Sequence, residues 1–187
     1  MEFLNAVKRV IKKYEANEGL KEDERSVIGY YSVMFNPSNL RNLTDDMFKS
    51  FLLFRNNRHW AGIHRWGNMI TSDMDKLRNA LKILLDESKP IQDRLYTLRP
   101  QNRPPYIKGL GRAVLTPILL MVYPGKYAVY NGVTEMGLKM AGAFPKFNDV
   151  GFAEQYIRIN EKVVELAKEN RLSLWQMDQV WWEVTKN

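Results

Sequence analysis

The chain has 187 residues, of which 45% are hydrophobic and 26% charged, with no cysteine and a formal net charge of +7. That length and apolar share predict a single globular domain with a real core and exclude a disordered or fibrous chain. The absence of cysteine excludes disulfides, thiolate zinc sites, iron–sulfur clusters and cysteine nucleophiles, and it fits a reducing, cytoplasmic setting.

The charge is uneven. Residues 1–54 carry eight Lys/Arg and eight Asp/Glu, and residues 113–187 again carry eight and eight. Residues 55–112 carry twelve against five, so the whole excess lies in the middle third. Such a cluster is either the electrostatic footprint of a polyanion or a solvated basic surface.

In chain order, helical periodicity dominates. The opening MEFLNAVKRVIKKYEANEGL lacks the apolar stretch of a signal peptide. It reads as an amphipathic helix with Phe3, Leu4, Val7, Val10, Ile11 and Tyr14 on one face. KEDERSVIGYYSVMF (21–35) suits a helix or, through its β-branched and aromatic residues, a strand. Asn36-Pro37-Ser38-Asn39 breaks the chain, and Thr44 offers an N-cap to DDMFKSFLLFRN. Ser72 or Asp73 caps MDKLRNALKILLDE, and Pro90 suits the start of IQDRLYTL. Pro100, Pro104 and Pro105 force an irregular stretch. RAVLTPILLMVY is apolar nearly all round and predicts a central buried helix, with Pro117 in its first two turns. VTEMGLKMAG, GFAEQYIRINEKVVELAKEN and, after Ser173, LWQMDQVWWEVTKN complete the series. No run reaches membrane-spanning length. The predicted class is all-α, one domain over residues 1–187.

Three stretches carry candidate chemistry. In Lys108-Gly109-Leu110-Gly111-Arg112, two glycines let the backbone turn sharply and approach a ligand. The helix that follows would offer free N–H groups at its positive end, while Leu110 points back to the core. A plain inter-helix turn needing glycine is the structural alternative. Arg94, Arg99, Arg103, Lys108 and Arg112 place five cations between 94 and 112 with no acid among them. Phosphate binding by Lys108, Gly109, Leu110, Gly111 and Arg112, with Arg99 and Arg103 alongside, would be salt-sensitive and indifferent to sequence.

The second stretch, RNNRHWAGIHRWGN (55–68), mixes cations, rings and amides as a base-contacting loop would. Its candidates are Arg58, Trp60, Arg65 and Trp66, with core packing as the competing role for the tryptophans. His59 and His64 are five apart with no carboxylate near them in sequence, which argues against a metal site. The third stretch is Tyr127-Ala128-Val129-Tyr130-Asn131-Gly132, from which Tyr130 and Asn131 join the base-contacting set.

The order of hairpin, apolar helix, short apolar segment, polar residue and new helix resembles the central segment of helix-hairpin-helix DNA glycosylases. There the hairpin reads Leu-Pro-Gly-Val-Gly, and a catalytic Asp follows the buried helix. Gly109-Leu110-Gly111 falls on the hairpin and Asn131 on the Asp. The Lys that bifunctional members keep falls on Ala113. The resemblance therefore implies the fold and backbone binding without glycosylase chemistry, since an amide is no general base. The order LTDDMFKSFL, LRNALKILLDESKPIQDRL, IKGLGRAVLTPILLMVYPGKYAVYNGVTEMGLK and LSLWQMDQVWWEV is similar, more widely, to helical N-terminal domains that precede McrB-like AAA+ ATPases in modification-dependent restriction systems. No GxxxxGK[ST] motif is present, so nucleotide hydrolysis would belong to a fused or separate motor, and cleavage to a nuclease.

The expectation is a non-catalytic reader of double-stranded DNA, with a modified or flipped base as the feature recognised, and without metal, cofactor or membrane. An active base-excision enzyme using Glu135 or Asp178 is the first alternative. A helical protein-interaction module is the second.

Overall fold

The computed structural model describes residues 2–186 and, among them, eleven α-helices and no β-strand. They are α1 (Glu2–Ala16), α2 (Glu18–Met34), α3 (Asp45–Leu52), α4 (Phe54–Asn57), α5 (Gly67–Ile70), α6 (Met74–Leu84), α7 (Ile91–Leu98), α8 (Arg112–Val122), α9 (Gly132–Met140), α10 (Phe152–Glu169) and α11 (Leu174–Thr185). Caps written in the sequence start several of them. Asn17, Thr44, Asp73, Asn131 and Ser173 each accept a first-turn amide of the helix that follows. At α9 and α11 the arrangement is reciprocal, with Thr134 and Gln176 reaching back to the capping residue.

The chain folds around α8, whose residues from Val114 to Met121 are all buried. A helix that apolar has no face to give to water, so its neighbours must enclose it. Helix α2 packs against it, α10 lies against α7, and α11 crosses both α1 and α9. The α9–α11 crossing is close. A Cβ built on Gly137 would lie 2.6 Å from Trp181 Cε3, so only glycine fits there. No described helix is long and apolar enough to cross a membrane.

The structure takes the helical alternative for one segment, breaks a second and leaves a third irregular as its prolines predict. Residues 21–35 are helical, not extended. The stretch from Thr44 to Asn56 breaks at Leu53, whose ψ of 126° is extended. Two asparagines take up the carbonyls this break exposes: Asn56 donates to Ser50 O and Asn57 to Phe51 O. Residues 99–111 contain no helix and are held by Tyr106 N–H to Leu98 O and by Asn79 to the Tyr106 hydroxyl. The glycine turn therefore leads into α8 from an irregular segment.

Candidate nucleic-acid interface

Gly109 has φ +88°, which is accessible to glycine and strained for other residues, and its N-terminal neighbour Lys108 is exposed. The turn is seated on α5 and the residue before it. A Cβ on Gly109 would lie 3.4 Å from Ile70 Cγ1 and from Trp66 Cβ, and 3.5 Å from Met69 Sδ. Leu110 is buried and anchors the bend, as its apolar character predicts. Gly111 is the N-cap of α8 and supplies no side chain to its first turn, which also contains no acid. The helix's own first turn therefore does nothing to offset its positive end.

The cations around this turn divide into two kinds. Arg112 Nη2 donates to Glu135 Oε2 at 2.8 Å, and its guanidinium lies 4.3 Å from the Tyr130 ring centroid. Glu135 also accepts from Lys139, and these hydrogen bonds, Lys139 first and then Arg112, hold its carboxyl below the usual carboxylate range. Among the described residues, Arg65, Arg99, Arg103 and Lys108 form no ion pair with an acid. Arg99 is half-buried, its Nε reaches no acceptor, and its Nη1 lies 3.2 Å from where a Gly111 Cβ would be. Its guanidinium sits over the Phe152 ring at 5.4 Å. Burial, and then the neighbouring Arg112, pulls its pKa below the ordinary arginine value.

Beside the turn a cleft of about 560 Å³ opens between α8, α9, α11 and the loop before α5. That is within the size range of small-molecule and base pockets. Gly109, Gly111 and Ala113 form one side, Asn131, Gly132, Val133 and Met136 another, and Trp60, Ile63, Arg65 and Trp66 a third. Trp182 and Thr185 of α11 close it. Neither an Asp nor a Glu nor a His lines it. Trp66 is 43% exposed and Met136 53%, so the rim is apolar and open.

The structure thus brings Gly109, Gly111, Trp60, Arg65, Trp66 and Asn131 to one place. Trp60 is buried and forms the floor, its Nε1 donating to Asp178 Oδ2 at 3.0 Å. The remaining base-contact candidates lie elsewhere. Arg58 is paired with Asp23 of α2 and does not line the cleft. Tyr130 is buried behind it, where its ring supports Arg112, because the β-like segment before α9 turns it into the core. Asp178 is also buried, 2.9 Å from His59 Nε2 and bonded to Trp60, and so does not reach the turn. Arg94, the fifth cation of the 94–112 run, is buried and bonded to Leu84 O, the Tyr127 hydroxyl and Glu87. No described group of three or more His, Asp or Glu is arranged to hold a metal ion.

Two contributors escaped the sequence reading. Asn57 is fully buried and makes four hydrogen bonds: Nδ2 to Phe51 O and Trp60 O, and Oδ1 from the His59 and Trp60 amides. It shapes the bend that carries Trp60 to the cleft floor. Gly132 is exposed at the first position of α9, where an added Cβ would meet nothing within 4 Å. The Asn-Gly-Val-Thr capping pattern was a signal for Gly132; nothing marked Asn57, whose partners are set by the break at Leu53.

No protein-family model matches the chain, and neither a curated protein nor a solved structure shows significant similarity to it.

Proposed function

We propose that this chain is a non-catalytic DNA-recognition domain. In this reading it grips the backbone of a duplex through the turn at Lys108 to Arg112, with Arg99 and Arg103, and holds an extruded or modified base in the adjacent cleft. One observation carries it: an open, aromatic-floored cleft lies directly beside a glycine turn, a helix N-terminus and cations that have no acid of their own. Phosphate anchoring next to a pocket is what a protein needs to pull a base from the stack and keep it there. Trp66 and Met69, both exposed at the turn, are suited to fill the gap the base leaves.

The helix-hairpin-helix resemblance supports the reading on the α8 side of the turn; the irregular segment ahead of it is a departure from that motif. The alternative of base excision is disfavoured by the chemistry available. No carboxylate lines the cleft, Asp178 is enclosed with Trp60 and His59, and Glu135 is tied to Arg112 and Lys139. A reader of this kind would serve an AAA+ motor and a nuclease, fused or separate, as in the restriction systems the chain resembles.

The test is fluorescence anisotropy on a duplex with one base opposite an abasic site, for wild type and for Lys108→Glu with Arg103→Glu. Both residues are exposed and lack an acidic partner, so their reversal leaves the fold intact. The expected result is weaker binding together with a shallower salt dependence. Each phosphate that is no longer neutralised lowers the slope of log K against log salt by about 0.9. Unchanged affinity would favour a protein-interaction module, and release of the base would favour an excision enzyme.

A further inference from the structure

The side-chain hydrogen-bonding groups that line the cleft are mostly donors. Asn131 accepts with Oδ1 from Val133 N–H at 2.8 Å and Thr134 N–H at 3.0 Å. Two amides pointing at one atom identify it as the oxygen, so the NH₂ group is left over, with no acceptor in the protein. Gly132, next in the chain, has a first-turn N–H for which the helix offers no acceptor, and no other group takes it. Arg65 spends Nε on Gly62 O and keeps its terminal N–H groups. Among the described residues the indole N–H groups of Trp66 and Trp182 have no acceptor, and that of Trp60 is used by Asp178. Thr185 donates its hydroxyl to Trp181 O, which leaves a single side-chain acceptor on the whole lining. The starts of α8 and α9 both reach this cleft, and that of α8 has no acid in its first turn.

Resting on the reading of the cleft as a base pocket, we infer that it selects a base by its carbonyl edge: a ring with two carbonyl oxygens, of the thymine or uracil type, over one with an exocyclic amino group. A carbonyl oxygen facing the Asn131 NH₂ and the Gly132 N–H is paired. An amino group in the same position meets a donor, and both are left buried without a partner. Rejection of this sort is stronger than rejection by shape alone, because the penalty falls on the site as well as on the ligand. Val133, Met136 and Ala113 complete an apolar wall on which a ring methyl group can lie.

The experiment compares duplexes that carry a single dT, dU or dC opposite an abasic site, so that no partner base must be displaced and the three differ only at the ring. Wild type should bind dT and dU more tightly than dC by about fivefold or more, the span of one well-formed base contact. Asn131→Asp keeps the cap, because an Asp oxygen accepts the same two amides, but turns the free donor into an acceptor. It should erase or reverse the dT-to-dC ratio, whereas Lys108→Ala should weaken all three equally and leave the ratio alone. Equal wild-type affinity for dT and dC overturns the inference while leaving the base pocket standing, and so does a ratio that survives Asn131→Asp. Failure of all three to bind better than the same duplex with no base at that position removes the pocket, and the inference with it.

Discussion

Helix α9 contains two glycines whose replacement should have opposite consequences, and the one at its start tests the cleft. Gly132 is exposed at the first helical position, its φ is not positive, and a Cβ there meets nothing within 4 Å. Alanine therefore costs no strain and removes the excess chain entropy of glycine, a gain of up to about 0.5–1 kcal/mol. For a chain of this length that raises Tm by at most roughly 2–4 °C. Phenylalanine at the same place should fold equally well, and it adds a ring at the edge of the cleft that Gly132 lines. A ring that enters the cleft stands at the start of α9, where a base seated against Asn131 and Gly132 would lie. Differential scanning calorimetry should find Gly132→Ala and Gly132→Phe at or above wild-type stability. Anisotropy should show Gly132→Phe losing about tenfold or more of its preference for a duplex with an unpaired base, the scale of removing one stacked base. Its affinity for fully paired duplex, which depends on the cations, should not change. If Gly132→Phe keeps the full preference, no base is seated against the start of α9.

Gly137→Ala should destabilise by about 1–3 kcal/mol in the same calorimetry, because its Cβ would overlap the Trp181 ring and α11 must back away. Glu24 is half-buried against Ser173, and burial raises its carboxyl pKa, so its contribution to stability is present below the unfolded-state value and lost as pH rises through the folded one. Glu24→Gln should accordingly raise Tm at pH 7 and have no effect below the acidic range in which the carboxyl is protonated in both states. Glu135→Gln removes the acid that occupies Arg112 and Lys139, so duplex affinity should rise and the salt dependence steepen by up to about two phosphate equivalents in a salt titration. In an acid titration the same variant should abolish the Glu135 contribution. That contribution is present above the unfolded-state pKa of the carboxyl and disappears as pH falls through the lowered folded value.

The helices were legible where local chemistry decides them. Thr44, Asp73 and Ser173 cap because a short oxygen beside a first-turn amide is satisfied at once, whatever the tertiary surroundings. The burial of α8 followed from its unbroken apolar surface. What could not be read was set by partners distant in the chain. Arg58 is neutralised by Asp23, 35 residues earlier, and Trp60 is drawn into the floor by Asp178, 118 residues later. No pattern in residues 55–68 separates these two from Arg65 and Trp66, which stay exposed at the rim. The turn itself was visible as Gly-Leu-Gly, and the irregular segment ahead of it was legible from the three prolines that keep it from winding.

Arg99 shows why the neighbourhood of the turn is hard to explain as structure alone. A guanidinium that is half out of water, with an Nε that finds no acceptor and a second guanidinium near enough to depress its pKa, is unfavourable on each of these counts. Other buried charged groups have more partners, although one atom of each, Arg94 Nε and Asp178 Oδ1, is likewise unpaired. Arg94 is enclosed by a carbonyl, a hydroxyl and a carboxylate, and Asp178 by an indole and an imidazole. The fold can evidently supply acids where it needs them, since Glu135 stands against Arg112 across the same helix start. Leaving Arg99 without one, against a glycine that brings its Nη1 to the N-cap of α8, concentrates positive charge at this helix start. The Phe152 ring is the one internal compensation seen for that guanidinium among the described residues, and a further one from outside the chain would fit. The group that would relieve all these terms together is an anion set between the Arg99 guanidinium and the first amides of α8, and a backbone phosphate has the charge and the acceptor oxygens to do so.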